Sequence, residues 1–398
     1  MAAGADWFEE WLGAHRDDLT AWRRHIHRNP ELSRKEFQTT DFVVEHLRAS
    51  RLDPQVLPGG TGLVCDIGPA DADGKRIALR ADMDALPMTE TTGLPFASRN
   101  PGAAHACGHD AHTAILLGTG LALASAPQLQ QGVRLLFQPA EEVMPGGALD
   151  AIAAGALGGV SRIFGLHCDP HLRVGTVGLR VGAITSAADI VEVRLSSPGG
   201  HTSRPHLTAD LVHAIGLLIT GIPNLVGRRV DARSRTVVTW GAVNAGAAPN
   251  AIPRSGVLRG TVRTGDRATW RQLRPLVCEL IQALAVPTGV EVEIDYRQGV
   301  PPVVNDEHSV AVLRRAVDAI GPDVAVPTPQ SSGGEDFAWY LEKVPGAMAR
   351  LGVWDGGRKV DIHQPDFDLD ERALEVGVRT MVNLVAPRAK VPYQETLG

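Results

Sequence analysis

Phe8, Trp11, Leu12, Leu19, Trp22 and Ile26 recur at the spacing of one helical face, which predicts an amphipathic first helix. Asn29-Pro30 should end it, because proline disfavours helical geometry in the residue before it. Ser33 and Glu36 have the spacing of a capping box and predict a second helix running to about Ser50. Beyond it, apolar runs of strand length alternate with helical patterns. GLVCDIG, RIALRADMD, VRLLFQP and RIFGLHC read as strands, and residues 113–126 and 147–154 as helices. Such alternation predicts an α/β class, a mainly parallel sheet covered by helices.

From residue 186 the pattern changes. Residues 190–195, 235–243, 256–264 and 290–297 are strand-like, whereas 209–221 and 267–286 are helical. Strand-helix-strand-strand-helix-strand is the order of the ferredoxin-like split unit. The expected organisation is a discontinuous domain of residues 1–185 and 299–398, interrupted by a compact inserted domain at 186–298.

Composition narrows the function classes. At 398 residues the chain exceeds what one core usually supports, so two domains are expected. A net charge of -6 without any Lys/Arg block argues against a nucleic-acid partner. The apolar run at 114–126 is too short to span a bilayer and predicts a buried helix, with no membrane partner. The first fifteen residues lack a basic head followed by an apolar run, so no export leader is expected. Cys65, Cys107, Cys168 and Cys278 are widely spread and then read as thiols, and the expected compartment is the cytosol.

The chemistry clusters after predicted strands, where the ligand crevice of an open α/β sheet lies. Asp82 and Asp84 follow RIALR, Glu141 and Glu142 follow VRLLFQP, and His167-Cys168 ends RIFGL. The densest stretch is His105-Ala106-Cys107-Gly108-His109-Asp110-Ala111-His112. Thiolate, imidazole and carboxylate together suit zinc, manganese, cobalt or nickel. Gly108 would let the backbone turn so that Cys107 and His109 face one point. Adjacent glutamates can divide labour, one ligating a cation and its neighbour acting as base. Taken singly, each cluster has a plain reading: a solvated acidic turn, a core histidine, polar strand ends.

LRADMDALPMTE, HACGHDAHTA, FQPAEE, GLHCDP, GGHTSRPH, NAIP, RGTVRT, GGEDF and IHQPDFDLDERAL, in that order along nearly the whole chain, resemble the metal-dependent amidohydrolases. That group contains hippurate hydrolases, bacterial aminoacylases and plant auxin-conjugate hydrolases. The resemblance implies two divalent ions per chain, held by Cys107 as bridging thiolate with His109, Glu142, His167 and His363. It implies Glu141 as general base, acting on a metal-activated water, and Asp84 (or Asp82) as the carboxylate that orients a ligand from behind. The inserted domain would be a lid and dimerisation element. His201 would stabilise the oxyanion, reaching across a homodimer or homotetramer, while Asn250 and Arg263 hold the carboxylate of the amino-acid product. The implied reaction is cleavage of the amide bond of N-acyl amino acids or similar small amides.

Three other readings stay open. A dipeptidase, carboxypeptidase or N-carbamoyl hydrolase could use the same metal pair, although the Cys-x-His pattern favours the amidohydrolase group. A non-catalytic metal-binding relative would be expected to have lost Glu141 or a ligand. A thiol-redox protein lacks the Cys-x-x-Cys pair it would need. Thr202-Ser203-Arg204 after His201 departs from the common family pattern, and Cys168 beside His167 reads by default as a buried filler.

Overall fold

A computed structural model describes residues 6–386. Residues 1–5, the start of the stretch read for an export leader, lie outside them. The apolar face of the first segment forms helix Asp6–Arg28, burying Phe8, Leu12, Leu19 and Ile26. The second helix is Phe37–Ala49, but the expected capping box does not form. Glu31 caps it instead, accepting from the first-turn backbone N–H groups of Gln38 at 3.1 Å and Thr39 at 2.8 Å. Arg34 turns left-handed at φ 67°, which carries Ser33 away from the helix start and frees it, with Glu36, for other partners.

Among the described residues, eight strands form the larger sheet. Their order is Gln55–Val56, Leu63–Ile67, Val133–Gln138, Arg76–Asp82, Val160–Arg173, Gly346–Trp354, Val177–Leu179 and Ala325–Pro327. The four central strands, Val133–Gln138 to Gly346–Trp354, are parallel, and the antiparallel pairings lie outside that block. Burial on both faces explains why the central strands read as nearly continuous apolar runs. The strand carrying His167 does not stop there, as its apolar run implied, but stays paired with Gly346–Trp354 as far as Arg173. The apolar run of the sequence becomes helix His109–Ser125, buried on all sides from His109 to Leu123. It lies against helices Asp6–Arg28 and Arg372–Val385, so no face of it needs polar residues.

Between Ala187 and Val300 the chain builds a separate antiparallel sheet, ordered Val237–Ala245, Ser255–Thr264, Ala187–Ser196, Glu291–Val300. Read in chain order this is the ferredoxin-like arrangement. Helix Leu211–Arg229 has the length and hydropathy to cross a membrane, yet Leu211, Ala214, Ile215, Leu218, Ile222 and Val226 are buried in this sheet's core. It is an amphipathic core helix. By density of internal contacts the chain divides into two units. One comprises Met1–Ile184, Val304–Pro329 and Trp339–Gly398; the other comprises Thr185–Val303 and Gln330–Ala338.

Candidate metal centre

The centre is assembled from the start of helix His109–Ser125, the interior of strand Val160–Arg173, and the loops carrying Glu141-Glu142 and His363, all in the larger unit. Gly108 caps the N-terminus of helix His109–Ser125 at φ 88°, a conformation that favours glycine. A Cβ there would also lie 2.8 Å from Cys168 Sγ and 2.9 Å from its Cβ, so the packing of the Cys168 side chain against this turn depends on its absence. This turn places Cys107 just before the helix and His109 as its first residue, both buried. One ligand atom each from Cys107, His109 and His167 lie within 4.8 Å of one another, and the same holds for Cys107, Glu142 and His363. Cys107 belongs to both groups. A third group joins His109 to Glu141 and Glu142.

Hydrogen bonds fix which histidine nitrogens are free. His109 Nδ1 is 2.8 Å from the Asp84 carbonyl and His167 Nδ1 is 2.7 Å from the Cys168 carbonyl. A carbonyl only accepts, so each Nδ1 carries a proton, and in the neutral imidazole each Nε2 keeps a lone pair. Those lone pairs sit within the cluster: His167 Nε2 is 3.5 Å from Cys107 Sγ, and His109 Nε2 is 3.8 Å from a Glu142 oxygen. His112, prominent in the sequence cluster, is used differently. Its Nε2 accepts from the Cys168 N–H at 2.8 Å and its Nδ1 donates to Asp82 at 2.5 Å, so both nitrogens are spent on structure.

The two aspartates also part company. Asp82 accepts from His112 on one oxygen and from the buried Arg80 guanidinium, at 2.6 Å, on the other. Asp84 accepts from the backbone N–H groups of Glu141 and Glu142, each at 3.0 Å, and from the Ser33 hydroxyl at 2.6 Å. Its carbonyl orients His109 and its carboxylate orients the turn that carries the paired glutamates. His363 sits at φ 63°, an uncommon conformation for a non-glycine residue. Its N–H donates to the Ala106 carbonyl at 2.6 Å, and its Nε2 reaches within 3.3 Å of Glu142.

The donor set fits divalent cations on two grounds. Among the described residues, His109 Nε2 and Glu142 Oε1 are buried with no hydrogen-bond partner, a costly arrangement unless something binds between them. The protein alone is also electrostatically over-negative at this point. Burial raises the Cys107 thiol well above its ordinary range, and Glu142, Glu141 and Asp82 push it further. Burial opposes charge on His109, yet the Asp82, Asp84 and Glu142 carboxylates lift it to about 10, so a proton collects where a cation would sit. A cation reverses both effects, because it favours the thiolate and the neutral imidazole. His167 needs no such help: burial and the neighbouring Arg350 already hold it well below its usual range.

His201, Asn250 and Arg263 belong to the other unit. His201 lies in the short strand Gly200–His201, paired with Ala251–Ile252, so Asn250 is beside it, and the Asn250 carbonyl accepts from Thr202 N–H at 3.2 Å. Ser203, part of the departure from the family pattern, has a clear task. Its backbone N–H donates to His201 Nδ1 at 3.1 Å, which leaves the proton on Nε2. Arg263 donates to the Ser332 carbonyl at 2.7 Å. The sequence reading left out Ser33, Glu36 and Arg80. An arginine inside the apolar run of RIALRAD was the available signal for Arg80, since a charged strand residue buried on both faces needs a fixed partner.

The model of peptidase family M20/M25/M40 matches residues 78–386. The chain belongs to this family. It is thereby placed among metal-dependent hydrolases, in the amidohydrolase group, and the cluster around Cys107 contains groups of residues that could hold a divalent metal ion. A solved Bacillus subtilis structure, described as a dinuclear metal-binding peptidase of the M20 family, is 35% identical with a TM-score of 0.82, covering 94% of this chain and 98% of that one. The N-acetyl-L-cysteine deacetylase of Bacillus subtilis is 39% identical over 357 residues, 89% of this chain and 84% of its own length. A longer Rhodococcus jostii protein, provisionally named glutamate–cysteine ligase 2-3, is 58% identical over 92% of this chain. The chain spans only 46% of that relative's length.

Proposed function

We propose that this member of the M20 family hydrolyses the amide bond of N-acyl amino acids with two divalent cations per chain. The observation that carries the reading is Cys107's membership of two candidate ligand groups, one with His109 and His167 and one with Glu142 and His363, with Glu141 grouped beside His109 and Glu142. Similarity to an N-acetyl-L-cysteine deacetylase supports the substrate class. Cys107, His109, Glu142, His167 and His363 would hold the cations, whose identity lies among manganese, zinc, cobalt and nickel. When bound, they supply polarisation of the amide carbonyl and a lowered pKa for water. Glu141 takes the proton of the attacking water and returns it to the leaving amine, the work of a general base that becomes an acid. Asp84 holds Glu141 at the correct distance through its backbone N–H. His201 offers Nε2–H, the donor that an oxyanion requires, while Asn250 and Arg263 bind the carboxylate.

The assembly proposed is a homodimer formed through the ferredoxin-like unit. Its edge strand Val237–Ala245 is largely exposed, Val237 and Val243 each by more than half, and an open apolar edge is usually covered.

The test is metal analysis of the purified protein followed by amine release from a panel of N-acyl amino acids. Glu141→Gln should keep its metal and lose turnover by about 10²–10⁴-fold, because an amide cannot accept the proton. Parental turnover in a metal-replete Glu141→Gln protein would remove the assignment. Release of amine from dipeptides or N-carbamoyl amino acids alone would move the enzyme to those neighbouring activities.

A further inference from the structure

Residues 31–36 look like the lead-in to a helix, and Glu31 does cap it, yet the side chains of Ser33 and Glu36 reach the supports of the candidate metal centre instead. Ser33 donates to Asp84 at 2.6 Å. Glu36 is fully buried, and one of its oxygens accepts two backbone N–H groups, from Arg34 at 3.0 Å and from Ala140 at 2.8 Å. Both donors are non-glycine residues in left-handed conformation, Arg34 at φ 67° and Ala140 at φ 59°. Such residues persist only where their surroundings hold them. Ala140 immediately precedes Glu141 and Glu142, whose own N–H groups point to Asp84. Three consecutive amides of one turn are therefore gripped by two buried carboxylates, and Ser33 ties the strap bearing Glu36 to the second of them.

We propose that Glu36 is a positioning residue for catalysis: it holds Ala140 in the left-handed turn that aims the adjoining Glu141 at the reacting water. The inference rests on the reading of Glu141 as base. What Glu36 contributes is an acceptor at the right reach, not a charge. Burial and the nearby Asp84 carboxylate raise it to about 7, so at neutral pH the acid and the carboxylate are both populated, and each keeps an oxygen able to accept from Ala140. Glutamine preserves that oxygen and its reach. Aspartate preserves the charge but is one methylene short.

The experiment compares Glu36→Gln with Glu36→Asp on the N-acyl amino acid that the parent turns over fastest, recording kcat, KM, metal per chain and Tm. Glu36→Gln should keep kcat within about threefold. Glu36→Asp should lose about 10- to 100-fold in kcat with KM and metal content unchanged, the scale expected when a catalytic group is displaced by an ångström or so. Parental kcat in the aspartate variant overturns the proposal. So does a glutamine variant as impaired as the aspartate one, since the role would then be electrostatic. A loss in Glu36→Asp that follows lost metal or lost folded protein reduces Glu36 to a structural part. Glu141→Gln, measured alongside, separates the two readings: if it keeps full turnover the base assignment fails, and if it is inactive while Glu36→Asp is fully active only the role of Glu36 fails.

Discussion

At the residue scale the centre depends on where protons are held. His109 and His167 can face cations because backbone carbonyls occupy their Nδ1–H groups, whereas His112, three residues from His109, is excluded by accepting from Cys168. Cys107 shares both ligand groups, so Cys107→Ser should lower metal stoichiometry after dialysis, because a hydroxyl is a poor bridge where a thiolate served. Two ions per chain retained as tightly as in the parent would make Cys107 a packing residue. Behind the centre, the buried Arg23 pairs with Asp110 at 2.8 Å and Asp368 at 2.6 Å, and His27 lies 2.8 Å from Asp110 and 3.2 Å from Glu90. Burial opposes charge on His27, but its hydrogen bonds to Asp110 and Glu90 raise it to about 9. The raised folded value means that this stabilisation is complete below the unfolded value of about 6.5 and disappears as pH climbs through 9. Urea unfolding of the metal-saturated protein should therefore lose on the order of 1–3 kcal/mol between those limits. His27→Gln should flatten that slope; an unchanged slope would place the titration elsewhere.

At the element scale, helix His109–Ser125 sets the tolerances of the larger unit. Helix Arg372–Val385 packs on it at Gly377, where an added Cβ would sit 2.5 Å from Ile115 Cδ1 and 2.9 Å from its Cγ1. Ile115 is fully buried and β-branched, so it has little freedom to turn aside. Gly377→Ala gains roughly 1 kcal/mol of helix propensity but overpacks by roughly 1–3 kcal/mol, and net destabilisation is expected. Thermal unfolding checks this, and adding Ile115→Val, which removes Cδ1, should recover part of the loss. A raised Tm in Gly377→Ala would mean the two helices can separate freely. This element was plain in the sequence because an apolar run too short for a bilayer has to be buried. The strap at 31–36 was not, because Ser-x-x-Glu spacing specifies a capping box only when the intervening residues are helical, and Arg34 is not.

At the scale of the whole molecule, the residues proposed to act together are divided between two units. The cluster around Cys107 belongs to one, and His201, Asn250 and Arg263 to the other. If the working enzyme is the proposed dimer and His201 serves its partner's centre, the defects should complement. His201→Ala alone should keep its metal and lose about 10²–10³-fold in kcat, the usual loss for one oxyanion donor. Mixed with Glu141→Gln protomers, it should regain part of the activity, because one centre in each heterodimer then has both residues. Verified subunit exchange without recovery would exclude action in trans, and full activity of His201→Ala would take it out of the mechanism.

The sequence by itself determined the alternation that gives a parallel-centred sheet, the ferredoxin-like order of the second unit, and the residue types of the metal cluster. Each is a local periodicity or a chemical inventory, and both survive translation into three dimensions. It did not determine the division between neighbours of the same type. His109 against His112, and Asp82 against Asp84, differ only in which atoms meet a carbonyl, an amide or a guanidinium brought in by another strand. Nor did it reveal that Glu36, 104 residues from Ala140, holds the turn beside the paired glutamates. Hydrogen bonds across that separation depend on where the folded backbone passes, and only the tertiary structure decides it.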